Sequence, residues 1–247
     1  MGLTLLLLFV VTLMAGLAPL AISKVNSRYF HLALVFSGAY LFGITIMHLL
    51  PELFSGVVGN REVALWITVG FLMQVLLDHF TSGVEHGHLH IAHHDHHHGS
   101  VSMFTLLTAM SLHALLEGSL LANPMVADDH QHSAGLLTGI ILHKMPAAFA
   151  LMSLISCNYK TRFWPIALMI LFSLATPVGM VLSDQLTLSG WLDSKAMTVL
   201  FALVTGNFLH ISTTIFFESS PEHKVGGGKL ITILLGTAVA VVAEFLG

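Results

Sequence analysis

Ser111-Leu112-His113-Ala114-Leu115-Leu116-Glu117-Gly118 lies in the middle of an apolar run long enough to cross a bilayer. A second stretch, Leu142-His143-Lys144-Met145-Pro146-Ala147, lies about thirty residues further on in another such run. Imidazole and carboxylate are costly in hydrocarbon, and where they occur at membrane depth they mark function by default. His113 and Glu117 are four residues apart, so a helix places them on one face, one turn from each other. His143 completes a nitrogen and oxygen set suited to zinc or a neighbouring divalent transition metal. A histidine satisfied by a nearby carbonyl is the ordinary alternative. It is favoured in a soluble core and disfavoured at mid-membrane, where Gly118 also lets another helix approach closely.

Composition agrees that the solvent is mostly lipid. Of 247 residues, 55% are hydrophobic and only 9% charged, with a mean hydropathy of +0.85; soluble domains carry about 25% charged residues. The net charge of −4 and the lack of any basic run give no sign of a nucleic-acid partner. One cysteine, Cys157, excludes an internal disulfide.

About 20 apolar residues make a spanning helix, and on that ruler eight spans are predicted, near 3–23, 30–50, 62–82, 101–121, 134–156, 163–183, 196–217 and 229–246. The fold class is therefore all-α, a polytopic membrane protein in one domain. The first run has no preceding charge and exceeds a signal-peptide core, so it is read as a span and not a cleaved leader. Lys24, Arg28, Lys160, Arg162, Lys224 and Lys229 cluster at one set of loops, against Arg61 and Lys195 at the other. Excess positive charge marks the cytoplasmic side, which leaves both termini extracytoplasmic. The expected location is the inner (plasma) membrane of a bacterium.

Lys144 is the informative oddity. It lies too deep to snorkel easily, so it faces an aqueous path or pairs with an anion, and Glu117 is a candidate. Its charge repels a second cation nearby, which predicts one metal ion in the core. Pro146 leaves the carbonyl of Leu142 without its usual donor and is expected to kink its helix, a disruption tolerated where backbone lines a cavity or is buried in protein. His48, Glu52, Asp78, His210 and Glu218 lie nearer span ends and are candidates for steps on a cation pathway, although polar residues there are cheap to keep. The tract His86, His88, His90, His93, His94, His96, His97 and His98, with Glu85 and Asp95, has no apolar periodicity. Dense imidazole without fixed geometry suits loose metal capture or sensing. His130 and His132, beside Asp128 and Asp129, are a weaker collecting point in the loop after span four.

His48-Leu-Leu-Pro51-Glu52 and Glu218-Ser-Ser-Pro221-Glu222 share the pattern ionisable-x-x-Pro-Glu in oppositely directed spans. That hints at an inverted repeat, 1–82 against 163–247, around a loop at 83–100 and central helices at 101–156, as many transporters have.

These residues resemble the Zrt/Irt-like (ZIP) family of divalent metal transporters. The most specific parts are His113-x-x-x-Glu117-Gly118 and His143-Lys144-x-Pro146, supported by His48-Leu-Leu-Pro51-Glu52 and Pro177-x-Gly179. The resemblance implies a 3+2+3 arrangement with the site on spans four and five, and His113, Glu117 and His143 as primary ligands. It also implies alternating access that moves Zn²⁺, or Fe²⁺, Mn²⁺ or Cd²⁺, into the cytoplasm. Ala114, Lys144, Ala147 and Ala148 depart from the binuclear members of that family, in agreement with a single ion. A homodimer is compatible with the sequence but not read from it. The alternatives are an intramembrane zinc hydrolase, with Glu117 as general base, and a metal sensor without transport. The hydrolase lacks a His-Glu-x-x-His helix and an oxyanion stabiliser.

Overall fold

The computed structural model describes residues 1–22, 26–56, 58–81, 103–123, 130–218 and 226–246, with the side chains of 130–133, 218 and 246 left aside. They form α1 (Gly2–Ala21), α2 (Ser27–Ser55), α3 (Asn60–Thr81), α4 (Met103–Leu121), α5 (His130–Asn158), α6 (Phe163–Leu188), α7 (Ser194–Glu218) and α8 (Gly227–Leu246). No strand occurs among the described residues. All eight contain a stretch long and apolar enough to cross a membrane, at the positions expected from the sequence.

Local chemistry explains how polar residues are carried in such helices. Thr12, Thr45, Ser173, Thr205 and Ser212 are buried, and each hydroxyl donates to the carbonyl one turn back at 2.7–2.8 Å. This satisfies the hydroxyl inside its own helix, where no water can. The Asn26 side chain accepts from the Arg28 amide at 3.0 Å and starts α2.

One span departs from expectation in an instructive way. α2 runs past Pro51 to Ser55, where the sequence reading ended it at residue 50. A π turn over Thr45–Leu49, closed by the Leu50 amide on the Thr45 carbonyl, has already widened the hydrogen-bond register there. Such turns concentrate at functional sites, and this one carries His48. α5 continues through Pro146 as one helix.

The largest interfaces pair α3 with α7, α4 with α6 and α2 with α8, and α1 packs on α5 and α6. These pairings sort the chain into two groups, α2/α3/α7/α8 and α1/α4/α5/α6, which meet mainly along α2–α5 and α3–α4. Met110, Leu151, Met152, Met169 and Phe172 make an apolar core inside the second group. Leu34, Leu41, Leu49, Phe201 and Phe208 anchor the other, which also takes in Leu136 and Ile140 of α5. α4 is mostly buried, whereas α1, α3 and α8 show apolar side chains such as Leu72 and Leu234 to the outside. The candidate site residues His113, Glu117 and His143 are buried within this arrangement.

Paired glycines set the closest crossings. A Cβ on Gly118 of α4 would strike the Thr176 carbonyl of α6, and one on Gly179 of α6 would strike the Leu115 carbonyl of α4. Gly70 and Gly206 do the same between α3 and α7. Close backbone approach through small residues is how helices associate in lipid. Gly118→Leu is therefore expected to destabilise by at least the ~1–3 kcal/mol of core overpacking, seen as a lower midpoint of thermal unfolding in detergent. The same change at Gly228, with nothing within 4 Å, should leave the midpoint in place. Equal midpoints for the two variants would contradict the α4–α6 crossing.

Candidate metal centre

α4 offers His113 and Glu117 on its buried face, and the turn between them brings His113 Nε2 to 3.1 Å from Glu117 Oε1. α5 adds His143, whose ring is perpendicular to that of His113 with centroids 6.2 Å apart. One ligand atom from each of the three lies within 4.8 Å of the others. His113 is 5%, Glu117 1% and His143 1% exposed, so the cluster is shielded from solvent. Tetrahedral zinc ligands at ~2.1 Å lie roughly 3.4 Å from one another.

Lys144, the residue after His143, pairs its ammonium with Glu117 Oε2. The glutamate is therefore shared, one oxygen towards His113 and the other towards Lys144. The ammonium also lies 5.8 Å from the centroid of the Phe172 ring of α6, within cation–π range. Met110, His113, Glu117, His143, Lys144, Ala147 and Phe172 enclose a cavity of about 10 Å³. That is about the smallest space that holds one water. It suits a bare ion and not a hydrated one. Ala147, small where a larger side chain would fill the space, helps keep it open.

Among the described residues this is the one group of three or more His, Cys, Asp or Glu side chains close enough to share an ion. His48, Glu52, Asp78 and His210 do not join it. His48 is buried on the π turn of α2, and its Nδ1 lies 3.3 Å from Glu244 Oε1 of α8. Glu52, one turn beyond, is half-buried. The Asp78 carboxylate accepts from the Thr81 hydroxyl at 3.2 Å near the end of α3. His210 is buried, edge-on to Phe71 with centroids 5.0 Å apart. The tract from His86 to His98, Asp128, Asp129 and Glu222 lie outside the described residues, as do the side chains of His130, His132 and Glu218.

Glu244 is the functional candidate that the sequence reading missed. The available signal was that it is the one carboxylate in the α8 run. Its position relative to the cluster follows from the α2–α5 seam. Tyr40 lies against Gly139 and Ile44 against Gly135, and the Tyr40 hydroxyl donates to the Gly135 carbonyl at 3.1 Å. The two helices therefore run antiparallel, and His48 continues away from His143. At 1.5 Å per residue the two histidines are separated by roughly 18 Å along the axis. Leu41, Ile44, Leu136 and Ile140, each at most 1% exposed, fill the seam between them.

Residues 84–244, more than half of the chain and including all three cluster residues, match the model of a family described as ZIP zinc transporter. The chain is also 30% identical over 146 residues to Protein zntD of Dictyostelium discoideum. That alignment covers 57% of this chain and 21% of the relative, so the chain spans about a fifth of the length of the curated relative it matches.

Proposed function

This chain belongs to the ZIP zinc transporter family, and from that premise we propose that it carries a divalent transition-metal ion, zinc foremost, across a membrane into the cytoplasm at a single centre made by His113, Glu117 and His143. The observation that carries the reading is the buried cluster on α4 and α5 around a space for one bare ion. Two neutral imidazoles and one carboxylate form a borderline donor set that accepts zinc and also Fe²⁺, Mn²⁺ or Cd²⁺. With a water as fourth ligand the set reaches the tetrahedral geometry zinc favours.

Access alternates because the ion cannot reach the cluster from both sides at once. The apolar seam of Leu41, Ile44, Leu136 and Ile140 blocks the side of His48 in this conformation. His48 and Glu244 gather the cation at that mouth, which the lysine and arginine distribution assigns to the outside, together with both termini. The interface between the two helix groups is smaller than the pairings within them, which suits motion of α4 and α5, with α1 and α6, against the rest. The pairings also support the 3+2+3 division into 1–82, 101–156 and 163–247. Exchanging α1, α2 and α3 for α6, α7 and α8, and α4 for α5, turns α3–α7 into α8–α2 and α4–α6 into α5–α1. Each of these is a substantial interface.

The test is purified protein in liposomes containing a zinc-sensitive dye. Zinc accumulates, and calorimetry in detergent gives one ion per chain at the centre. Imidazoles must be neutral to ligate, so protons compete with zinc. Apparent affinity is therefore expected to weaken as the medium is acidified from about pH 7.5 to about pH 5.5. Affinity that stayed flat over that window would rule out histidine ligation. Metal-dependent cleavage of lipid or peptide without flux would favour the hydrolase.

A further inference from the structure

Release of the ion poses a charge problem at this centre. Glu117 is 1% exposed and Lys144 4%. Both sit in helices that contain spanning stretches. A carboxylate so buried is strongly disfavoured without a cation, and so is an ammonium without an anion. An ion held by Glu117 supplies the positive charge that the carboxylate requires. Lys144 is then surplus, and it is repelled because two cations face one carboxylate. Once the ion leaves, Glu117 is an isolated buried anion unless another cation takes its place. The geometry provides that replacement, since Glu117 Oε1 faces His113 while Oε2 holds the Lys144 ammonium. The Phe172 ring, 5.8 Å away and lining the same cavity, offers the displaced ammonium a second resting place by a cation–π contact.

Resting on the carrier reading above, we propose that Lys144 is the tethered counter-cation of the unloaded carrier. Its ammonium, held on Oε2 while Oε1 faces the ligand side, neutralises the carboxylate that the departing ion leaves and lets the unloaded centre change sides as a neutral unit. On loading, the ion displaces it towards Phe172. The lysine is thus a competitor for Glu117 as well as a barrier to a second ion. It lowers zinc affinity while speeding the return of the empty protein.

Two flux measurements separate these steps. Net zinc uptake into zinc-free liposomes needs the empty centre to return on every cycle. Exchange of radioactive zinc between liposomes and medium, both zinc-loaded, needs only the loaded centre to move. Lys144→Met is expected to cut net uptake relative to exchange by at least roughly tenfold, and zinc should raise its melting midpoint more than it raises that of the unaltered protein. The ratio does not depend on how much protein reconstitutes. If Lys144→Met does not reconstitute, Lys144→Gln, whose amide still donates to Oε2 without a charge, is read in the same way. A ratio equal to that of the unaltered protein, or net uptake and exchange lost in equal proportion, overturns the assignment and leaves Lys144 a packing residue. Absence of both fluxes in the unaltered protein would overturn the carrier reading itself.

Discussion

His143→Ala is expected to abolish zinc uptake and leave the protein folded. His113 and Glu117 share α4, so His143 is the donor through which α5 joins the centre. Removing it leaves two protein ligands one turn apart on a single helix, too few to replace the hydration shell that a cavity of about 10 Å³ excludes. Losing a residue that merely orients a ligand costs ~10–100-fold in metal affinity or activity, and loss of the ligand itself should cost more. The fold should tolerate the change because His143 borders a cavity, and the Glu117–Lys144 pair remains intact. Proteoliposome uptake and calorimetric binding are the measurements, with the melting midpoint as the control. Uptake at the unaltered rate would place the ion path elsewhere.

The two donors on α4 were legible because helical geometry alone puts residues four apart on one face. The third donor was not fixed by spacing. His143 was read from its depth in the span and from a resemblance, and the fold brings it within 4.8 Å. The Lys144–Glu117 pair was foreseeable on charge alone, since a deep lysine in oil needs an anion. Glu244 escaped because one carboxylate near a span end looks like an interface residue, and its meaning depends on how α8 packs against α2. The same limit applies to His48 and Glu52, which were read together on α2, whereas His48 meets a different helix.

Fold legibility divides along similar lines. Eight spans follow from hydropathy because the bilayer sets a minimum length. The passage of α2 beyond Pro51 does not, because a π turn is a property of hydrogen-bond register and leaves no mark in composition. Gly118 was visible as a point of close approach, but its partner carbonyl on Thr176 was not. Pairing between helices depends on three-dimensional complementarity, which a run of apolar letters leaves open.

Breaking the buried ion pair should have the largest effect on stability. Glu117→Gln leaves the Lys144 ammonium 4% exposed with no carboxylate opposite, and removing one partner of such a pair typically costs ~3–5 kcal/mol. Lys144→Met strands Glu117 in the same way and should cost a similar amount. The double variant Glu117→Gln/Lys144→Met removes both charges and keeps similar volume. Replacing a buried pair by neutral groups is often close to neutral for stability, so the double variant should recover most of what either single change loses. A coupling of roughly 3 kcal/mol or more would follow, readable from unfolding midpoints of the four proteins in one detergent. Stability alone recovers, because the double variant still lacks the anionic ligand of the centre, and zinc binding should stay at the level of Glu117→Gln. Additive losses would mean that the two side chains do not rely on each other in the folded protein, and the contact at Oε2 would then not be the one that holds the empty centre together.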